Sequence, residues 1–208
     1  MMDIRLPLFP LQVVLLPGEL LPLHIFEERY KLMIGECLEE ERSFGVVLVE
    51  ANGIRKIGCT ARIMRLIERF PDGRMNILTV GEDRFEILRL FENHPYLQGE
   101  TQPLADRAQE IPPPELARGV WEGMKEEEQK TLPPEQELLA DPGRFSFLAA
   151  AVLRLPLPEK QALLESLSPR ERLERLGSFI ERRREKDRLT ALRRQASAQN
   201  GKPASPPG

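Results

Sequence analysis

Leu6–Tyr30, LPLFPLQVVLLPGELLPLHIFEERY, is the segment that decides the fold of the N-terminal half. It is rich in apolar residues, but prolines at positions 7, 10, 17 and 22 interrupt it. Because proline lacks the N–H that a helix interior or a central strand needs, the segment must consist of short extended pieces and turns. Strands are predicted over 4–8 and 11–16, with Pro17-Gly18 as the following turn. The prolines also break the apolar core that a signal peptide requires, so we interpret the segment as part of the fold.

The overall composition is that of a globular protein with a substantial core. Its 208 residues are 41% hydrophobic and 30% charged, which is typical of a soluble protein of one or two domains. No apolar run approaches the roughly 18 residues of a membrane-spanning helix, so no membrane contact is expected. Cys37 and Cys59 are the only two cysteines. So few thiols indicate a reducing compartment, and we expect the protein in the cytoplasm.

Charge is distributed unevenly along the chain. The net charge is −3. From Arg170 onward there are 11 basic and 5 acidic side chains, whereas residues 1–169 carry 19 basic and 28 acidic ones, a net −9. Because phosphate binding needs a positive surface, the acidic body argues against nucleic acid as the main partner. In the basic helix predicted over 170–194, interleaved glutamates favour a solvated or partner-binding helix over a nucleic-acid element.

The first half is predicted to be a mostly antiparallel, barrel-like sheet with one inserted helix. Apolar residues recur at helical spacing between Tyr30 and Leu38, so a helix is expected over about 27–41. Runs with strand character are predicted over 44–50, 56–70, 75–80, 84–91 and 96–104. Between two of these runs, Pro71-Asp72-Gly73 is a strong hairpin signal.

The second half is predicted to be a helical bundle. The stiff Pro112-Pro113-Pro114 connector cannot continue a sheet, so we place the domain boundary at residues 106 and 107. The bundle is expected over 107–192, with helices over 115–130, from Pro142, over 158–167 and from Pro169. Ser168 and Glu171 match a capping box for the last helix. The tail, 193–208, is poor in apolar residues and is predicted to be disordered.

The chain offers few groups for catalysis. It has neither a Gly-rich phosphate loop nor a nucleophile elbow. His24 and His94 lie seventy residues apart, so a metal site is not expected. Cys37 has acidic neighbours, which would not activate a thiol, and is expected in the core. We therefore predict no catalytic residue, no metal ligand and no cofactor.

His24 is the one polar residue with two interpretations. It lies between Leu23 and Ile25, just before the predicted helix. The interpretation we favour is a histidine that holds a turn through a backbone hydrogen bond. The alternative is a polar group in a ligand groove.

An ordered series of motifs closely resembles the N-terminal, substrate-binding domain of the ATP-dependent Lon proteases. It begins with the LP-x-FPL start, the V-x-x-PG step and the LPLHIFE entry into the first helix. It continues through Ile57–Ile63, the Pro71-Asp72-Gly73 hairpin, Gly81–Phe85, Pro95–Leu97 and Asp141–Arg144. The resemblance covers roughly residues 4–190.

This resemblance implies an α+β fold. The expected architecture is a PUA-like, mostly antiparallel β-domain over 1–106 with an inserted helix, followed by an α-helical bundle. Full Lon proteases continue into an ATPase module and a protease module, and neither is found in this sequence. We therefore expect a stand-alone protein that is not an enzyme.

The resemblance also implies a function in binding. The expected partner is an unfolded or damaged polypeptide, or another protein on which this one docks. The alternative is an RNA-associated role, because PUA-like folds also occur in RNA-binding proteins, although fold alone is an analogy and the acidic body counts against it.

The candidate substrate-binding residues are Leu20, Leu21, His24 and Phe26. Unfolded chains differ from folded ones chiefly in their exposed apolar surface, so the site should be an apolar patch or groove. The competing interpretation of these four residues is ordinary core packing, which the sequence alone favours.

Overall fold

The computed structural model describes residues 5–107 and 110–200. The strands within these ranges are β1 Leu6–Leu11, β2 Leu20–Ile25, β3 Phe44–Glu50, β4 Gly53–Ile54, β5 Ile57–Arg69, β6 Met75–Phe91 and β7 Gln98–Pro103. The helices are α1 Glu28–Glu39, α2 Pro114–Gly123, α3 Glu126–Gln129, α4 Glu135–Ala140, α5 Pro142–Val152, α6 Leu157–Glu165 and α7 Pro169–Asn200. The sheet thus precedes the helical part, with α1 inserted into it, which confirms the predicted α+β class.

Five of the strands close into a barrel. The order is β1-β7-β6-β5-β3, and β1 closes the circle by pairing with β3 in parallel, with Leu8 opposite Gly45. The other pairings are antiparallel. A small cluster of Leu8, Val47, Phe85 and Ile87 forms one of the apolar cores.

The predicted strand over 11–16 is wrong. After β1 ends at Leu11 the chain is irregular, and Val14, Leu15 and Leu16 are all buried. Three consecutive buried side chains do not fit a strand with one solvent face, because neighbouring residues point to opposite sides. The predicted turn is present, with Gly18 at φ 79°. Hydrogen bonds between Gly18 and Gly81 and between Gly81 and Glu19 then bring the chain into β2.

Helix α1 supplies the main core of the sheet half. Its buried side chains are Tyr30, Met33, Ile34 and Cys37, one stripe at helical spacing. The ring of Phe9 from β1 lies 4.1 Å from that of Tyr30. This core continues without interruption into the helical part. The division at residues 106 and 107 stays a prediction.

The helical part departs from the sequence prediction in four places, one of which is α4, a helix that the sequence prediction did not include. The helix expected over 115–130 is broken, because Met124 is extended (ψ 156°) between α2 and α3. Helix α7 continues to Asn200, into the segment predicted to be disordered, since its Ala, Leu, Arg and Gln residues are good helix formers. Residues 201–208 lie outside the described ranges. At the start of α7, Ser168 accepts from the Glu171 N–H as predicted, but the Glu171 carboxylate accepts from Ser166 Oγ and not from the Ser168 N–H.

Polar contacts attach α6 to the barrel. Lys160 pairs with Glu19 at 2.6 Å, and Gln161 donates to the Ile57 carbonyl oxygen at the start of β5. The opposite end of β5 extends away from these contacts. None of the helices in the described residues has the length and apolar character needed to cross a bilayer.

Candidate functional site

The far end of β5 projects beyond the barrel as part of a three-stranded ribbon. Strand β3 pairs with β5 only as far as Ala61, so over 62–69 the described pairings of β5 are with β6 alone. Strand β2 pairs with the first half of β6, from Met75 to Val80. The turn at the tip is the predicted hairpin, with Gly73 at φ 83° and the Arg74 N–H donating to Asp72 Oδ1.

The solvent side of this ribbon is defined by strand register. Paired residues of adjacent strands share one face of a sheet. Read from β2 through β6 to β5, this side has three cross-strand rows. The first row is Leu20, Val80 and Arg62, the second is Pro22, Leu78 and Arg65, and the third is His24, Asn76 and Glu68. We call these nine residues the outer face. Its first two rows are apolar on β2 and β6 and end in an arginine on β5, whereas its third row is polar throughout.

The structure divides the four sequence-predicted site residues between two sides of β2. Leu20 and His24 lie on the outer face, and Leu20 is 56% exposed. Phe26 follows the strand directly and is 59% exposed. Leu21 lies on the opposite side and packs against the core. Core packing therefore holds for Leu21 and fails for the other three.

His24 belongs to a chain of side-chain hydrogen bonds across the ribbon. Its Nδ1–H donates to Asn76 Oδ1 at 2.7 Å, and Asn76 Nδ2 donates to Glu68 Oε2 at 3.1 Å. The ring also stacks with that of Phe26 at 5.9 Å and meets the edge of Phe70 at 6.2 Å. The expected hydrogen bond to a turn backbone is thus replaced by a cross-strand bond, because His24 lies inside β2 and not between a turn and a helix. This network holds the polar end of the outer face in place.

Three further apolar side chains of the ribbon were missed from the sequence. Met64 and Ile67 are each 50% exposed and Leu66 is 36% exposed. The pairing of β5 with β6 is irregular between Ile63 and Arg65 and again between Leu66 and Glu68. At each bulge, two residues of one strand lie opposite one residue of the other. The side chains beyond the bulge therefore point to the other face of the ribbon than the preceding alternation predicts. The only signal of these bulges in the sequence is a shift in the apolar pattern of β5. Its apolar residues stand at odd positions as far as Ile63, and then at Met64 and Leu66.

The two thiols have no features of a reactive site. Cys37 is buried, and burial raises its pKa to about 11 despite the nearby charge of Arg42. Burial likewise raises the pKa of Cys59. Both are therefore neutral thiols near pH 7, and the predicted core position of Cys37 is confirmed. In residues 5–107 and 110–200, no group of three or more His, Cys, Asp or Glu side chains is arranged to hold a metal ion.

The arginines at the middle of α7 are engaged within the chain. Arg183 binds Glu128 through two hydrogen bonds of 2.5 and 3.1 Å, and Arg182 donates to Glu159 at 3.1 Å. The side chain of Glu128 is only 17% exposed, because the break after α2 turns α3 toward α7. These pairs leave less of the basic helix available for phosphate groups.

The closed barrel, the inserted helix and the helical part together define the class of the protein, which is that of the Lon N-terminal domains. The family model described as "ATP-dependent protease La (LON) substrate-binding domain" matches residues 5–182. Because this match covers most of the chain, the chain belongs to that family.

Two relatives illustrate the sequence similarity. The Lon protease of Roseiflexus castenholzii is 32% identical over 195 residues, which cover 86% of this chain and 24% of that protein. The Lon protease of Anaeromyxobacter dehalogenans is 29% identical over 202 residues, covering 86% of this chain and 23% of that protein. The chain thus spans about a quarter of the length of these relatives.

Solved structures show the same fold. A Lon N-terminal domain protein from Xanthomonas campestris superposes with a TM-score of 0.65 at 29% identity, covering 83% of this chain and 96% of that one. The N-terminal domain of the Mycobacterium avium complex Lon protease gives a TM-score of 0.66 at 18% identity, covering 85% and 98%. The second likeness concerns the fold alone. The resemblance predicted from the sequence motifs is therefore confirmed.

Proposed function

We propose that the protein is a non-catalytic binding module that holds apolar segments of unfolded or damaged polypeptides, or docks onto a partner protein, through the outer face and Phe26. The observation that carries this proposal is the set of exposed apolar side chains on a paired ribbon, led by Leu20 and Phe26. The buried, neutral thiols support a role without chemistry. Two free thiols also agree with the predicted place of action, the cytoplasm.

The proposed site is preorganised by its own strand pairing. Leu21, Leu23 and Ile25 alternate with the outer-face residues of β2 and pack inward. Thr79, fully buried beneath the ribbon, donates from its hydroxyl to the Leu21 carbonyl oxygen at 2.8 Å. A rigid ribbon loses little conformational freedom on binding, so more of the apolar burial contributes to affinity.

The test is the titration of a permanently unfolded model protein with the wild type and with the double variant Leu20→Ser, Phe26→Ser. Each substitution removes about 1 kcal/mol of apolar burial, so the double variant should weaken Kd by roughly tenfold or more. The matched control is the double variant Leu88→Ser, Leu90→Ser. Those side chains are 54% and 41% exposed on the other half of β6, and their loss should leave Kd unchanged.

Two results would refute this proposal. The first is the lack of any binding at high micromolar protein. The second is an equal loss of affinity in both double variants, which would indicate non-specific adhesion to any exposed apolar group. A salt-dependent shift with mixed RNA that depends on Arg62 and Arg65 would instead assign the outer face to nucleic acid.

A further inference from the structure

The outer face combines apolar side chains with arginines, and this pairing points to a particular kind of segment. We infer that it selects apolar segments in which an Asp or Glu is adjacent to the apolar residues. This inference rests on the proposed function and adds the chemical class of the polypeptide that the site prefers.

Arg65 is the main element of this selectivity. It lies opposite Leu78, which in turn lies opposite Pro22, so all three form one cross-strand row. Adjacent strands are about 5 Å apart, so the backbone of Arg65 lies about 5 Å from that of Leu78 and about 10 Å from that of Pro22. Arg65 is exposed, and among the described residues it makes no ion pair. A guanidinium presents two parallel N–H donors that match a carboxylate, so a bound segment can supply the missing partner.

Arg62, in the neighbouring row, reinforces this positive side. It contacts Glu82 through Nε at 2.6 Å, with side chains that are 54% and 34% exposed. Its terminal nitrogens make no hydrogen bond within the described residues. The apolar residues of that row are Val80, on the adjacent strand β6, and Leu20, on β2 at the far side of β6. Two successive rows therefore present the same combination of apolar surface and cation.

The negative charge of the outer face lies at its other end. Glu68 belongs to the third row, where it accepts the hydrogen bond from Asn76. A segment with a carboxylate would be repelled at that row and attracted at the other two rows, where Arg65 and Arg62 lie. The outer face thus favours one placement of the carboxylate, beside the Pro22 and Leu20 rows.

The local charge is opposite to that of the surrounding body. Residues 62–80 carry four arginines against one Glu and one Asp, whereas residues 1–169 carry a net −9. The field of the body alone would attract basic peptides and repel acidic ones. A preference for acidic segments would therefore report the local arginines and not the overall charge.

The test uses three unstructured peptides that share the same apolar residues and differ at one position, which is Glu, Gln or Lys. The wild type should bind the Glu peptide about two- to fivefold more tightly than the Gln peptide, and the Lys peptide most weakly. In Arg65→Gln the Glu preference should fall markedly toward one, with only the smaller contribution of Arg62 left. Arg118→Gln, the same change at an exposed site on α2, should retain it. High salt should weaken the preference in the wild type, because exposed charges are screened.

The outcomes separate this inference from the proposed function. Equal binding of the three peptides would overturn the charge selectivity and leave the proposed function in place. A preference for the Lys peptide, or a Glu preference that is undiminished in Arg65→Gln, would also overturn it. If none of the three peptides binds but the unfolded protein does, the charge selectivity is wrong and the proposed function stands. If neither binds, both are wrong.

Discussion

Asp106 and Arg172 form a bidentate ion pair at the junction of the barrel and the helices, with Oδ1 2.6 Å from Nη1 and Oδ2 2.7 Å from Nη2. The same Oδ1 accepts from Arg84 Nη2 at 2.5 Å. The side chains of Arg172 and Arg84 are 0% and 4% exposed. Burial lowers the pKa of Arg84, as does the charge of Arg172, while Asp106 opposes both. One carboxylate is therefore the shared counter-charge of two buried cations.

Replacing this carboxylate should strongly destabilise the protein. In Asp106→Ala both guanidiniums remain buried without a counter-charge, so we expect the free energy of unfolding to fall by about 3–5 kcal/mol. The measurement is urea denaturation followed by circular dichroism. Asp187→Ala is the control, because Asp187 is exposed and lies 3.6 Å from Lys125. That surface pair should contribute about 1 kcal/mol or less. Equal losses in the two variants would show that the junction does not depend on Asp106.

Gly81 is a site where the fold leaves no room for a side chain. A Cβ there would lie 2.2 Å from the carbonyl oxygen of Leu16, which is backbone and cannot rotate away. Gly81→Ala should therefore lower the free energy of unfolding by about 1–3 kcal/mol or more. Gly119→Ala on α2 meets no atom within 4 Å. It should raise the free energy by about 0.5–1 kcal/mol, because alanine is the better helix former. Chemical denaturation of both variants checks the opposite signs.

Ser168 joins the start of α7 to Glu110, in the segment between β7 and α2. Its Oγ accepts from the Glu171 N–H at 3.0 Å and donates to Glu110 Oε1 at 2.7 Å. Ser168→Ala should cost about 0.5–2 kcal/mol through the lost cap. Ser178→Ala, an exposed position on the same helix, should change the midpoint of thermal unfolding little. A Ser168→Ala variant as stable as the wild type would refute the capping role.

Glu128 should make stability depend on pH. Burial raises its pKa, but hydrogen bonds from Arg183 and from the Lys125 N–H, with the charges of both residues, outweigh burial and leave the pKa lowered. Because the folded pKa lies below the unfolded value of about 4.3, this contribution is fully present above that value. It is lost as pH falls through the folded pKa.

The comparison of wild type with Glu128→Gln isolates this contribution. We expect the wild type to be more stable by about 1.5–3 kcal/mol at neutral pH, and the difference to shrink in acid. Glu127→Gln, at an exposed neighbouring position, should follow the wild type throughout. A difference that stays constant down to strongly acidic pH would show that the Glu128 carboxylate is not the source.

Most elements of the fold could be predicted from the sequence, because the residue patterns that indicate them lie within a few neighbouring positions. The stripe from Tyr30 to Cys37 required only helical spacing, and Pro71-Asp72-Gly73 required only turn chemistry. The strand expected over 11–16 failed because a run of consecutive apolar residues fits both a buried strand and a buried loop. The helix expected over 115–130 failed at Met124, where packing of α3 against α7 overrides the propensity of a Glu- and Lys-rich segment.

The candidate site could be predicted only in part. Leu20, His24 and Phe26 were found from their apolar setting and from the family resemblance. Leu21 could not be separated from them, because the side of a strand that faces solvent depends on its register with β6. The place of Arg65 in the site could not be predicted from the sequence, because its row with Leu78 and Pro22 joins three different strands.

The sequence by itself determined the family, the α+β class, the helix around Tyr30–Cys37 and the proline-broken character of Leu6–Tyr30, because these depend on residue types at short spacing. Tertiary structure alone decided that His24 bonds to Asn76, that Asp106 serves both Arg84 and Arg172, and that one side of the ribbon is uncovered. Those contacts join residues brought together by strand register and helix packing. Such long-range pairing is set by the whole chain and is not encoded in any single segment.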